Sequence, residues 1–103
     1  MLTITTKDTF KAKTLIRRIE CKGHAEGEDH TSICAAASML MQALALFLAR
    51  RYSYGMDAQL QPGDSFVECE ADVSDRVVAT AFDVAYEGFI SLQNRYPKQV
   101  SVQ

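Results

Sequence analysis

The sequence predicts a two-layer α+β domain, in which a mixed or antiparallel sheet carries two helices packed on one face. Three observations favour this class. Short extended runs and two long segments of helical period follow each other in the order ββα-ββα-β. Apolar residues make up 48% of the chain and charged residues 23%, which is typical of globular proteins. A length of 103 residues is that of a single domain, spanning residues 1–103.

Five strands are predicted from runs that alternate or are rich in β-branched residues. They cover residues 2–6, 11–21, 57–61, 65–71 and 99–102. Lys7-Asp8 is the expected polar break between the first two strands, and Pro62-Gly63-Asp64 forms the expected turn between the third and the fourth.

The first predicted helix, residues 33–49, is apolar around nearly its whole circumference. Thr31 or Ser32 is its expected N-cap, and Tyr54-Gly55 ends the segment. The run is long enough to be considered as a membrane span, but hydroxyl, amide and alanine residues dilute it and no second apolar stretch accompanies it. We therefore expect a buried central helix and no membrane partner. One sheet covers only one side of such a helix, so the second helix and a partner chain are expected to cover the rest, which predicts a homodimer.

The second predicted helix follows Asp72 or Ser74, either of which can cap it, and Tyr96-Pro97 stops it. Its apolar residues recur at intervals of three and four, opposite a polar stripe, as expected of a helix that lies on a sheet. The apolar stripe consists of Val78, Ala81, Phe82, Ala85, Phe89 and Leu92.

Composition narrows the class of partner and the compartment. Eleven basic and thirteen acidic residues give a net charge of −2, so the positive excess that drives most nucleic-acid binding is missing. The cysteines are Cys21, Cys34 and Cys69, an odd number without framework spacing, and no signal peptide is recognised at the start. We expect a cytoplasmic protein that does not bind nucleic acid directly.

The candidate chemistry is concentrated in residues 21–38. Cys34 is expected at the second or third position of the first helix, where unpaired backbone N–H groups and the helix dipole favour a thiolate. A polar loop carries His24 back from the end of a strand, which makes its imidazole a candidate base for Cys34. The same N–H groups are candidates for an oxyanion hole. These residues suit acyl transfer without a cofactor, although a small buried hydrophobe is the commoner role of a cysteine at a helix start.

The same segment also has the spacing of a zinc site. Cys21, His24, His30 and Cys34 supply four ligand types at intervals that a zinc knuckle tolerates. Against this interpretation, Cys21 ends a strand and Cys34 lies inside a helix, so the four side chains need not converge. His30 is otherwise a solvated loop residue or a rival for the role of base.

Two motifs carry a resemblance to a known family. Gly23-His24-Ala25, followed by a polar glycine-containing loop and by Cys34-Ala35-Ala36-Ala37-Ser38 at the start of an apolar helix, resembles the ribosomal-processing cysteine protease family, Prp. The resemblance runs along the whole chain, including SLQNRYPKQV at residues 91–100. It implies a small, dimeric, cytoplasmic bacterial endopeptidase that removes a short N-terminal extension from the precursor of a large-subunit ribosomal protein. The family's nucleophile falls on Cys34 and its base on His24.

The chain departs from the family pattern just before the cysteine. The family carries an aspartate three residues before the nucleophile, where this sequence has Thr31, and Asp29 lies two residues earlier. The loop from His24 to Cys34 is also shorter than in the family. The pair of His24 and Cys34 survives these changes, whereas the loop geometry and the substrate stay open. A non-catalytic binding or assembly module of the same fold and the zinc site are the alternative functions.

Overall fold

The computed structural model describes residues 1–103 and has the element order that the sequence predicts. The strands are β1 (Leu2–Lys11), β2 (Thr14–Lys22), β3 (Met56–Gln61), β4 (Asp64–Asp72) and β5 (Val100–Val102), and the helices are α1 (His30–Arg51) and α2 (Arg76–Arg95).

The five strands form one mixed sheet in the order β3-β4-β2-β1-β5. β1 runs parallel to β5, and the other neighbouring strands are antiparallel. Both helices lie on the same face of this sheet, because their buried residues and those of the strands form one apolar core. No polar or charged residue is buried. The predicted α+β class, with two helices on one face, is confirmed.

The first hairpin turns later than the sequence suggests. Lys7-Asp8 does not break the strand; the turn lies at Ala12-Lys13, where Ala12 has φ 50°. Lys7 and Asp8 instead pair with residues of β2, and the Asp8 carboxylate lies 3.5 Å from the Arg17 guanidinium. Asp8 thus faces a complementary charge on β2, and the polar pair does not end a strand that pairs with β2 on both sides of it.

The helix α1 begins earlier than expected, so that Thr31 and Ser32 lie inside its first turn instead of capping it. The N-cap is Asp29, whose side chain makes no capping hydrogen bond. The chain enters the helix through a local turn at Gly27, which has φ 88° and whose carbonyl accepts a hydrogen bond from the His30 backbone N–H at 3.3 Å. A backbone turn therefore replaces the side-chain cap that the sequence predicts. The helix ends at Arg51, before the predicted stop.

The N-cap of α2 is Asp75 and not Asp72 or Ser74. Its carboxylate accepts hydrogen bonds from the backbone N–H groups of Val77 and Val78, at 2.9 and 3.1 Å. The Asp72 carboxylate is already engaged, because it accepts from both the backbone N–H and the hydroxyl of Ser74. Beyond the cap, the predicted apolar stripe of α2 is buried except for Ala81, which is half-buried.

The helix α1 leaves part of its apolar surface uncovered. By length and composition, α1 is long and apolar enough to cross a membrane. In this fold, 33% of its most apolar 18-residue stretch is buried. Its buried residues pack into the core, whereas Met39 and Leu46 are exposed. The contacts with the sheet and α2 favour a core helix with one free apolar face.

Candidate active site

A cavity of about 220 Å³ opens at the end of the sheet where β2 stops and β3 turns into β4. Cys34 and Ser38 contribute to it from α1, and Pro62 and Gly63 contribute from the β3–β4 turn. His24, two residues beyond the end of β2, lines the same cavity. The fold thus brings the predicted nucleophile and the predicted base to one concave surface. We call this end of the molecule the site end.

Cys34 is the one cysteine of the three whose side chain is not buried. All three are free thiols. Cys21 is 6% exposed and Cys69 is fully buried, and burial raises the pKa of each of these thiols to about 11. Cys34 is half-buried and faces the cavity. Accessibility therefore selects Cys34 as the thiol that can meet a substrate.

Cys34 lies deeper in α1 than the sequence suggests. It is the fifth residue of the helix and not the second or third, because α1 begins at His30. Regular helical bonding is established before it, since the Ile33 N–H donates to the Asp29 carbonyl at 3.0 Å. The amides of Thr31 and Ser32 make no backbone hydrogen bond, so the free N–H groups expected of a helix N-terminus belong to these residues. Any oxyanion site built on the helix start is formed by amides two and three residues before Cys34.

His24 is held through its backbone, while its imidazole is exposed. The Gly23 N–H donates to the Gly63 carbonyl at 2.9 Å, and the His24 carbonyl accepts from the Met1 nitrogen at 2.7 Å. The imidazole packs against Gly63, where a Cβ atom would overlap the ring. No hydrogen bond joins the imidazole to Cys34. The two side chains share the cavity without a direct polar contact.

The four predicted zinc ligands do not converge, so the zinc interpretation is wrong for this fold. Cys21, His24 and Cys34 line the cavity, but His30 does not. The two ring nitrogens of His30 contact the Gly27 carbonyl at 2.8 Å and the Thr31 hydroxyl at 3.2 Å. No group of three or more His, Cys, Asp or Glu side chains is arranged to hold a metal ion. His30, the rival base, is exposed and does not line the cavity that Cys34 faces.

One wall of the cavity was not predicted as part of the site. Leu60, Gln61 and Gly63 come from the second hairpin, far along the chain from Cys34. The Pro-Gly pair correctly signalled a turn, but a turn signal says nothing about which side chain lies on it. Only the pairing of β2 with β4 brings this turn beside His24.

Solved structures share this fold. The ribosomal processing protease Prp from Staphylococcus aureus, in complex with a substrate peptide, has a TM-score of 0.78 and 15% identity over 100% of this chain and 98% of that chain. The same protease with a covalently linked product peptide has a TM-score of 0.75 and 14% identity, with the same coverage. The protein SMU.848 from Streptococcus mutans has a TM-score of 0.66 and 22% identity over 100% of this chain and 96% of that chain.

At these identities the structural likeness establishes the fold alone. No curated protein sequence matches this chain. The profile of the family described as cysteine protease Prp matches residues 1–101, which is nearly the whole sequence. The chain therefore belongs to the cysteine protease Prp family and is a cysteine protease.

Proposed function

We propose that the protein is an endopeptidase in which Cys34 is the nucleophile and His24 the general base, and that it removes a short N-terminal extension from the precursor of a large-subunit ribosomal protein. One observation carries the assignment of residues: Cys34, the only cysteine that is not buried, and His24 line one cavity. Family membership supports the reaction class.

The expected chemistry is acyl transfer in two steps. The Cys34 sulfur attacks the scissile carbonyl carbon, and the proton of the thiol passes to the His24 imidazole. The imidazolium then gives this proton to the leaving amine as the C–N bond breaks. Water, deprotonated by the same imidazole, then attacks the thioester carbonyl; the C–S bond breaks, the product leaves as the acid, and the imidazolium returns the proton to the Cys34 sulfur. The amides of Thr31 and Ser32 are the candidate donors to the oxyanion, because they make no backbone hydrogen bond and lie within the turn of α1 that precedes Cys34.

The choice of substrate rests on relatives. The Staphylococcus aureus protein of the same fold is a ribosomal processing protease and was solved with peptides bound. The exposed loop with Glu26, Glu28 and Asp29 lies between His24 and Cys34 and is suited to attract a basic precursor. The substrate to use is the large-subunit ribosomal protein precursor from the same source, with its N-terminal extension.

The test compares Cys34→Ala and His24→Ala with the unmodified protein on that precursor, with cleavage followed by mass spectrometry. We expect each variant to lose turnover by orders of magnitude, and the double variant to lose little more than either single one, since the two residues act as a unit. His30→Ala and Asp29→Ala are the controls for the rival base and the displaced carboxylate; both should keep kcat, and Asp29→Ala should at most raise KM, because this carboxylate belongs to the loop that attracts the precursor. Cleavage by Cys34→Ala would refute the nucleophile. If the unmodified protein and Cys34→Ala bind the precursor equally and neither cleaves it, a binding module is favoured.

We further propose that the protein is a homodimer joined through the free face of its helices. A groove of about 530 Å³ runs between α1 and α2, lined mainly by apolar side chains that include Leu40, Phe47 and Val84. Val84 is 66% exposed, so a charge there should not disturb the core. Light scattering should give about twice the 11.4 kDa of one chain, and Val84→Asp should lower this mass. A measured mass of one chain at high protein concentration would contradict the homodimer.

We place the protein in the cytoplasm, where a reducing environment keeps a nucleophilic thiol free. All three cysteines are free thiols, and disulfides are rare in such a compartment. Cell fractionation should recover the protein with the soluble cytoplasmic proteins. Retention in washed membranes would contradict the proposal and would indicate that α1 inserts into lipid.

A further inference from the structure

The imidazole of His24 lies directly against Gly63, the second residue of the turn between β3 and β4. A Cβ atom on Gly63 would lie 2.7 Å from Cε1 and 3.1 Å from Cδ2 of this ring, and closer still to Nε2. Non-bonded heavy atoms essentially never approach a Cβ within 3.0 Å. Any side chain at position 63 must therefore displace the ring.

The same turn also fixes the backbone that carries the imidazole. The Gly63 carbonyl accepts a hydrogen bond from the N–H of Gly23, the residue before His24, at 2.9 Å. Gly23 has φ 93°, and a Cβ there would overlap the Met1 carbonyl oxygen. Gly63 thus contacts the backbone beside His24 through its carbonyl and the imidazole through its α-carbon.

Packing is the restraint that remains on the ring. Both ring nitrogens of His30 have local hydrogen-bond partners, whereas the His24 imidazole makes no hydrogen bond within the protein. An exposed side chain without polar partners exchanges between rotamers unless a packed surface favours one of them. For His24 that surface includes the bare α-carbon of Gly63, which lines the same cavity as Cys34.

We propose that Gly63 is a positioning residue for His24: the missing side chain at position 63 leaves the space that the imidazole occupies in the cavity that Cys34 also lines. The proposal rests on the proposed role of His24 as base. A misplacement of a catalytic group by about 1 Å can lower the rate about 100-fold. We therefore expect a methyl group at position 63 to lower turnover.

The chain offers a matched control for the substitution. Gly63 and Gly27 both have a positive φ, 75° and 88°, so alanine strains the backbone at both positions. Nothing lies within 4 Å of a Cβ on Gly27. Gly27→Ala therefore reports backbone strain alone, and Gly63→Ala reports strain together with displacement of the ring.

The position of the ring can be read directly, because His24 and His30 are the only histidines in the chain. In ¹⁵N spectra of the imidazoles, Gly63→Ala should shift the His24 signals and leave those of His30 in place. Gly27→Ala should spare His24 and affect His30, whose ring contacts the Gly27 carbonyl. Unmoved His24 signals in Gly63→Ala would overturn the proposal.

A double-mutant cycle separates positioning from a general structural defect. In the unmodified background, Gly63→Ala should lower kcat by about 100-fold. In the His24→Ala background it should cost nothing further, because no ring remains to be displaced. An equal loss in both backgrounds would overturn the proposal. If the unmodified protein cleaves no peptide, the proposed function fails, and the His24 signals of Gly63→Ala still decide whether Gly63 positions the ring.

Discussion

The polar side chains near the two ends of α1 differ in whether they are hydrogen-bonded within the protein. At the site end, the imidazole of His24 and the thiol of Cys34 share a cavity and make no hydrogen bond to the protein. At the other end, which we call the capping end, the Tyr52 hydroxyl donates to the Asp75 carboxylate at 2.8 Å. Asp75 also accepts from two backbone N–H groups of α2.

This difference separates stability from chemistry within one small domain. A side chain whose hydrogen bonds are made within the protein contributes to the stability of the fold. An exposed or half-buried group without partners adds little stability and is available to react. The 22 residues of α1 span the distance between the ends, so changes at one end should leave the other intact.

The largest expected effects come from one substitution at each end, compared in both turnover and stability. His24→Ala should lower peptide turnover by about 10²–10⁴-fold, as for loss of a general base, and should change the free energy of unfolding by less than about 0.5 kcal/mol. Asp75→Ala should lower that free energy by about 0.5–2 kcal/mol through loss of the cap and should leave turnover within about twofold. Peptide cleavage and urea unfolding measure the two quantities. If either variant changed both quantities strongly, the two ends would not be independent.

The second effect concerns the thiols. At pH 8, thiols of pKa about 11 are ionised to only about one part in a thousand, and Cys21 and Cys69 are also buried. Cys34 should therefore be alkylated by iodoacetamide at least about 100-fold faster than either in the folded protein. Peptide mapping by mass spectrometry after timed quenching gives the three rates. Unfolding in urea is the control, because it should make the rates equal.

A smaller effect is the pH dependence that the capping end confers on stability. The hydrogen bond from the Val78 N–H, together with that from the Tyr52 hydroxyl, holds the pKa of Asp75 below its ordinary value. A lowered folded-state pKa means that this stability is present above the unfolded-state value of about 3.9 and is lost as the pH falls through the folded-state pKa.

Asp75→Asn is the matched variant for this prediction, since asparagine is also a good N-cap but does not titrate. Its unfolding free energy should fall less steeply below pH 4 than that of the unmodified protein. Urea unfolding measured between neutral and acid pH tests the difference. If the unfolding free energies of the two proteins fell identically below pH 4, Asp75 would not be a source of the pH dependence of stability.

The smallest effect lies on the first hairpin, away from both ends. Asp8, which is exposed, and Arg17, which is half-buried, form a surface ion pair there, at 3.5 Å. Such pairs contribute about 0–1 kcal/mol, and Arg17→Ala should accordingly lower the unfolding free energy by less than Asp75→Ala does. Chemical denaturation of the two variants side by side makes the comparison. A larger loss for Arg17→Ala would mean that the hairpin, and not the cap, carries the stability.

The sequence by itself determined the features that depend on local pattern. The apolar stripe of α2 and the Pro62-Gly63 turn follow from spacing and from backbone preference, which act over a few residues. The element order and the α+β class follow from the succession of such patterns. The family resemblance, carried by the segments around His24 and Cys34, is confirmed by the family profile over residues 1–101.

Tertiary structure decided where elements begin and what meets across the chain. The first hairpin turns at Ala12-Lys13 because β2 pairs with β1 through Lys7 and Asp8 and beyond them, and α1 starts at His30 because the backbone turn at Gly27 suffices. The contact of Gly63 with the His24 imidazole requires β2 and β4 to pair in one register. The conformational propensity of a residue acts over its neighbours along the chain. These contacts depend instead on residues distant in sequence that only the folded sheet brings together.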